Sequence, residues 1–489
     1  MILPLFLAIP LLGAALSVLF PNRIFATALS LLLPAASIAG GVWLFQQGPQ
    51  AHAVGLYVGG VAIPFAADAF SAVMIVTTGI VTFTSNWFAA AAGETRARFY
   101  PALTLMLLGG VNGALLTADL FNLFVMVEVM LLPSYGLMAM TGTRSRLAAG
   151  RTFVLSNLLA STMLLLGVSF VYGVSGTVNI AALAGAADSG PLVVAFGLVV
   201  IALVIKAGVF PMHTWLPRTY PATSPAVMGL FSGLHTKVAV YALFRIYVVI
   251  FDCNPRWTWF IIVVMVVAML VGSFAGLAER TIRRVLAYQM VSGMPFILVM
   301  LAFGTENALA AGLLYTVHHM ITMGALILTG GAIEETYGTG TLSKLSGLAR
   351  RDPWVAAVFA AASFSIVGFP PFSGMWGKVF LVLEAARQGD ARSWVVIAAI
   401  IVASIGSLFS MLRLWRKVFW GRPPEQYPVT LVVPWAKLAP GAALLAVSVV
   451  MFFAAGPLTD AILHGTHDLF NVSGYSSMIL SDNPVGVVR

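Results

Sequence analysis

Long apolar stretches alternate with short polar ones along the whole chain. The apolar runs sit near 2–20, 24–45, 69–92, 100–117, 119–140, 152–173, 191–210, 225–251, 257–278, 286–304, 308–333, 355–383, 394–420 and 434–456. About 20 apolar residues suffice for a helix to cross the hydrocarbon of a bilayer. The pattern therefore predicts about 14 transmembrane helices, called spans 1–14 below. The runs are continuous and do not alternate with a period of two, which argues against the strands of a transmembrane β-barrel. No basic residue precedes the first run, so it is expected to be a span and not a cleaved signal peptide. The predicted class is an all-α polytopic membrane protein.

Composition agrees and removes other classes. Of 489 residues 60% are hydrophobic and 9% charged, against about a quarter charged in soluble domains. Cys253 is the single cysteine, which leaves no disulfide framework, zinc ribbon or cysteine-ligated cluster. There is no G-x-x-x-x-G-K-[ST], G-x-G-x-x-G or H-E-x-x-H. No cofactor is expected, and no pattern identifies a metal site.

The net charge of +9 is explained by loop topology and does not point to nucleic acid. Eighteen of the 26 Lys and Arg residues fall in loops that follow odd-numbered spans or at the span ends that border those loops. The other loops and the C-terminal tail hold only Arg256, Arg387, Arg392 and Arg489. By the positive-inside rule the basic loops face the cytoplasm. A multi-pass protein of the plasma membrane with both termini on the non-cytoplasmic side is expected.

The remaining cations, Lys206, Lys237, Arg245 and Lys378, lie inside spans. An ionisable group at the bilayer centre costs roughly 2.5–3.5 kcal/mol on insertion scales. Such groups mark function more often than packing. Glu128 stands nine residues past Asp119 in span 5, about 14 Å along a helix. Lys206 is in span 7, Lys237 in span 8, His318 and His319 in span 11, and Lys378 in span 12. One carboxylate, three lysines and two histidines thus form a row of proton-exchanging groups. Blander readings exist for each. Glu128 and Lys206 would suit a structural ion pair, and the histidines would suit satisfied core groups. Asp119 is placed to cap a helix, and Arg245 is near enough to a span end to snorkel. Asp119, His235 and Arg245 are secondary candidates.

Two spans look broken, at Pro211 and at Pro370–Pro371. Proline removes a helix donor, which a membrane tolerates only where protein or water satisfies the freed groups. Pro211 and Pro371 are 160 residues apart, and spans 4 and 9 begin with nearly the same offset. Two five-helix repeats, spans 4–8 and 9–13, are expected, and an odd number inverts one against the other. Interrupted helices at matching places in inverted halves point to a transport pathway. The expected division is 1–99 (spans 1–3), 100–251 (first repeat), 252–420 (second repeat) and 421–489 (span 14 with a polar external tail).

These residues resemble the antiporter-like proton channel family shared by respiratory complex I, membrane-bound hydrogenases and Mrp-type cation/proton antiporters. The resemblance covers roughly 60–420. It is carried by the mid-span Glu128, by Lys206 before F-P-x-H-x-W-L-P, by Lys237 in G-L-x-x-K-x-x-x-Y, and by F-P-P-F-S-G-M-W-G-K ending at Lys378. The stretch Tyr220–Leu230, a lysine at 378 and the compact length are most similar to the Mrp branch. Many relatives carry a lysine four residues after the histidine of span 11, where this chain has Met323.

The resemblance implies a proton-translocating subunit of a multisubunit Na+/H+ antiporter, working with other membrane subunits. Glu128 and Lys206 would be a charge-switching pair. Lys237 would pass the proton along the midplane, His318 or His319 would bridge the halves, and Lys378 would be the terminal group. The alternatives are the proton-pumping membrane subunit of a complex I-like or hydrogenase-type redox enzyme, a self-sufficient transporter, and an inert scaffold.

Overall fold

A computed structural model of the chain describes residues 2–20, 22–56, 62–140, 142–187, 190–428 and 430–481. In chain order the helices are α1 (Leu5–Leu19), α2 (Arg23–Gln47), α3 (Ala69–Ala92), α4 (Tyr100–Leu116), α5 (Leu120–Ala139), α6 (Arg144–Ser175), α7 (Pro191–Ala207), α8 (Trp215–Thr219), α9 (Pro225–Gly233), α10 (His235–Val249), α11 (Thr258–Ala275), α12 (Ile282–Leu298), α13 (Glu306–Tyr337), α14 (Leu348–Arg351), α15 (Pro353–Val367), α16 (Ser373–Gln388), α17 (Ala391–Val418), α18 (Trp435–Phe453), α19 (Ala455–Phe470) and α20 (Val472–Ile479). A short antiparallel pair, β1 (Gln50–Ala53) and β2 (Pro64–Ala67), precedes α3.

Every apolar run of the sequence holds at least one of these helices. Among the described residues ten helical stretches are long and apolar enough to cross a membrane, and up to eleven if a bent pair counts as one span. The shorter apolar helices α1, α4 and α15 occupy the remaining runs.

Both expected breaks are present. The first separates α7 from the short helical turn at Met212–Ala222, with a bend of 42°. The second separates α15 from α16. Each begins at a glycine with positive φ, Gly208 at 70° and Gly368 at 104°, a conformation that side-chain-bearing residues rarely adopt. The freed carbonyls find partners. Trp215 Nε1 donates to Ile205 O at 3.0 Å, and Lys378 Nζ donates to Val367 O at 2.8 Å.

Loop contacts sort into the two sets that alternate crossing requires. Loops after spans 9 and 11 bond through Ile282 N to Gly340 O and Leu342 N to Arg280 O, both 2.9 Å. Loops after spans 4 and 6 bond through Leu120 N to Val178 O and Ile180 N to Ala118 O, again 2.9 Å. Isolated bridges pair Asp119 with Asn179 and Thr281 with Thr341. The second bridge follows the first by about 160 residues, the offset of the two breaks, and it lies in the other loop set.

Residues 455–479 form α19 and α20. The stripe Ile462, Thr466 and Leu469 is buried, as residues four and seven apart on a helix share a face. Helix α19 packs on α3 and α13. This single stripe in a polar stretch is too sparse to register as an apolar run.

Candidate functional site

Helix α13 is the centre of the bundle, packed by helices from both halves of the chain, including α9, α12, α15 and α16. His318 and His319 are fully buried at its middle. Successive residues on a helix diverge by about 100°, so the two rings reach different neighbours. His319 Nδ1 lies 3.1 Å from Lys237 Nζ. His318 Nδ1 lies 2.8 Å from Ser373 Oγ and 3.2 Å from Thr322 Oγ1. The two adjacent histidines thus face different parts of the chain, His319 towards Lys237 and His318 towards Ser373.

Lys237 is 1% exposed. Besides His319 its amine meets, among the described residues, Thr236 Oγ1 at 3.3 Å and Met294 Sδ at 3.8 Å. No carboxylate forms an ion pair with it among the described residues. Gly293 of α12 gives His319 its room, because a Cβ there would sit 1.9 Å from Nε2.

Beyond His318 lies a hydroxyl cluster that the charged-residue pattern did not reveal. Ser373 Oγ and Ser365 Oγ approach Ser448 Oγ at 2.7 and 2.9 Å. Thr322 Oγ1 meets Ser365 Oγ at 2.9 Å. Ser448 is the lone hydroxyl of α18, which was the signal available. A hydroxyl both gives and accepts a proton, so this cluster extends the imidazole into α15, α16 and α18.

Lys378 sits on α16, after its break, yet its amine folds back to the end of α15. It donates to Val367 O and to Ser404 Oγ at 2.9 Å, with the Phe296 ring centroid 5.3 Å away. Lys206 occupies the last turn of α7, before its own break. The two lysines lie on opposite sides of their breaks in the chain, and the Lys378 amine returns to its own.

Lys206 Nζ donates to Ser161 Oγ of α6 at 2.9 Å. Among the described residues Glu128 and Lys206 form no ion pair, and Glu128 Oε1 has no hydrogen-bond partner. The contact pair offered as one reading of the sequence is not present. His235 Nε2 pairs with Ser134 Oγ at 2.8 Å, and Tyr220 OH lies 3.5 Å from its Nδ1. Its ring stacks on Phe231 with centroids 4.5 Å apart. Asp119 caps α5, accepting from Asn122 N at 2.7 Å.

Arg245 corrects the sequence reading. It does not snorkel. It is 4% exposed and paired with Asp68 at 2.5 Å. It donates to Tyr241 OH at 3.1 Å and lies over the Phe70 and Tyr475 rings at 5.3 and 4.9 Å. Asp68, the cap of α3, is 177 residues away in sequence, and nothing local announces the pairing.

No group of three or more His, Cys, Asp or Glu suited to a metal occurs among the described residues. The assembled groups are amines, imidazoles, hydroxyls and one carboxylate, each able to take and release a proton.

Residues 117–409 match the family described as NADH:quinone oxidoreductase/Mrp antiporter, transmembrane. The chain is 32% identical over 454 residues to the D subunit of the Na(+)/H(+) antiporter of Alkalihalophilus pseudofirmus, covering 91% of each. A chain in the structure of the Mrp complex from Dietzia sp. DQ12-45-1b is 40% identical, with a TM-score of 0.93 over 98% of this chain and 99% of that one. A chain of respiratory complex I from Thermus thermophilus, 24% identical with a TM-score of 0.82 over 96% of this chain and 99% of that one, shares the fold. On the extent of the family match and of the first relative, the chain belongs to the NADH:quinone oxidoreductase/Mrp antiporter transmembrane family.

Proposed function

We propose that this chain is the D-type subunit of a multisubunit Mrp cation/proton antiporter and that it moves protons along its buried row. It is a transport subunit, not an enzyme, and works among other membrane subunits. Protons are its own cargo and Na+ the exchanged cation of the complex. Its 14 spans place both termini outside the cytoplasm, with inverted repeats over 100–251 and 252–420. The offset bridges in opposite loop sets support the inversion.

The observation that carries this reading is the Lys237–His319 contact at 3.1 Å, made between the two halves without a carboxylate in contact. One member of such a pair must accept, so the pair shares protons instead of storing two charges. Lys206 feeds it from one side, under the field of Glu128. His318, the hydroxyls of Thr322, Ser365, Ser373 and Ser448, and then Lys378 follow on the other. Steps between groups out of contact run through water. A charge crossing the membrane potential gains about 2.3 kcal/mol per 100 mV, on the scale of a one- or two-unit change in proton affinity.

The test is cation-driven proton flux by the complex in vesicles, with Lys206→Ala and Glu128→Ala. Both are expected to assemble and to lose flux. Near-normal flux from either assembled variant removes that residue from the pathway.

A further inference from the structure

A part-buried carboxyl with one enclosed oxygen lies outside the row. Glu94 sits in the turn between α3 and α4, in the basic loop set. Its Oε2 accepts from Ser224 Oγ, the cap of α9, at 2.5 Å. Its Oε1 is shut off from the surface and has no hydrogen-bond partner. The charges facing it are Arg146 of α6, Arg283 of α12 and Glu335 of α13, with Tyr100 of α4 beside it. Arg283 is held by Glu334 at 2.5 Å and donates to Thr223 O.

A tie between the α3–α4 turn and α9 would explain one oxygen. It leaves the second enclosed and unused, which is costly for a carboxylate. A group that alternates between acid and carboxylate accounts for both. Polar groups also run inward from it. Thr223, next to Ser224, donates through Oγ1 to Tyr220 O at 2.6 Å. Tyr220 OH lies 3.5 Å from His235 Nδ1.

We propose that Glu94 is the proton-uptake site of the first half: on the basic-loop face its carboxylate, held by Ser224, takes a proton from water and releases it inward through water towards His235 and Lys206. The inference rests on the proton-pathway reading above. Burial pushes the Glu94 carboxyl up to about 7, against the opposing hydrogen bond from Ser224 and the nearby arginines. The group therefore exchanges near neutral pH.

The experiment measures initial proton flux by the assembled complex in vesicles across the neutral pH range, for Glu94→Gln, Glu94→Asp and Ser224→Ala, with Lys237→Ala as the reference. Glu94→Gln is expected to lower flux by about tenfold or more and to flatten its pH dependence, which Glu94→Asp keeps. Ser224→Ala removes a bond that favours the charged form, so the pH midpoint is expected to rise. Wild-type rate and pH profile in Glu94→Gln, with Lys237→Ala inactive, overturn the uptake role alone. Activity in Lys237→Ala overturns the pathway reading beneath it. If Glu94→Gln does not assemble, an unmoved midpoint in Ser224→Ala overturns the proposal.

Discussion

Lys237 and His319 meet amine to imidazole, Nζ to Nδ1 at 3.1 Å, on helices α10 and α13. Both side chains are buried. When the amine is an ammonium, His319 Nδ1 must accept, which fixes the Nε2–H tautomer of a neutral ring. When the amine is neutral, it accepts in turn from an Nδ1–H. Either state keeps the Nζ–Nδ1 hydrogen bond, so a proton crosses between the two without breaking that contact. The neighbouring His318 opens to the other half through Ser373 at 2.8 Å.

The room for His319 comes from Gly293, and filling it tests the contact without touching a titratable group. In Gly293→Ala the new methyl would lie 1.9 Å from His319 Nε2, so the ring must move off Lys237. Flux is expected to fall sharply in an assembled complex. Gly197→Ala on α7, with nothing within 4 Å of its Cβ, is expected to transport like wild type. Unchanged flux in Gly293→Ala would show that the geometry of the contact is immaterial.

Lys378 separates a proton carrier from a fixed charge. Arginine keeps the charge but does not release a proton at working pH. Lys378→Arg is expected to assemble and to lower flux by about tenfold or more, each decade being about 1.4 kcal/mol of barrier. Proton flux in vesicles at wild-type level would leave Lys378 as a fixed positive charge only.

Much of this was legible in the residues. The spans follow from long apolar runs, and the breaks from Pro211 and from Pro370 with Pro371. The row follows from the cost of burying charge. The hydroxyl links were not legible. Serines in membrane helices commonly bond their own helix at i−4, as Ser134 does to Met130 O at 2.7 Å. Sequence alone does not tell which of them also reach across, as Ser161 and Ser448 do. Helix rotation is equally hidden. Lys206 bonds Ser161 and not Glu128. Arg245 finds its partner in Asp68, in a distant loop.

That ion pair is expected to hold the fold together without conducting. Removing one partner of a buried pair costs about 3–5 kcal/mol. Arg245→Ala should therefore lower the melting temperature of the complex markedly, and Arg245→Met with Asp68→Leu should recover most of it. Thermal unfolding in detergent checks both. A single variant as stable as wild type would mean that the pair contributes nothing.

Glu94 predicts a pH dependence of stability. Its carboxyl is raised from 4.5 to about 7 by burial, so between those values the folded chain binds more protons than the unfolded one. Stability then falls as pH rises through that window and levels off above it. The melting temperature of the wild type, measured relative to Glu94→Gln, should decline across this interval and stay flat beyond. A constant difference throughout would place the carboxyl in the ordinary range.

The central claim, that protons pass between the halves through Lys237, is tested most directly by Lys237→Gln in the assembled complex. Glutamine is one bond shorter but keeps a hydrogen-bonding head and does not titrate. Cation-driven proton flux into vesicles should be lost, with the composition of the complex unchanged. Flux close to wild type from that assembled variant would contradict the account.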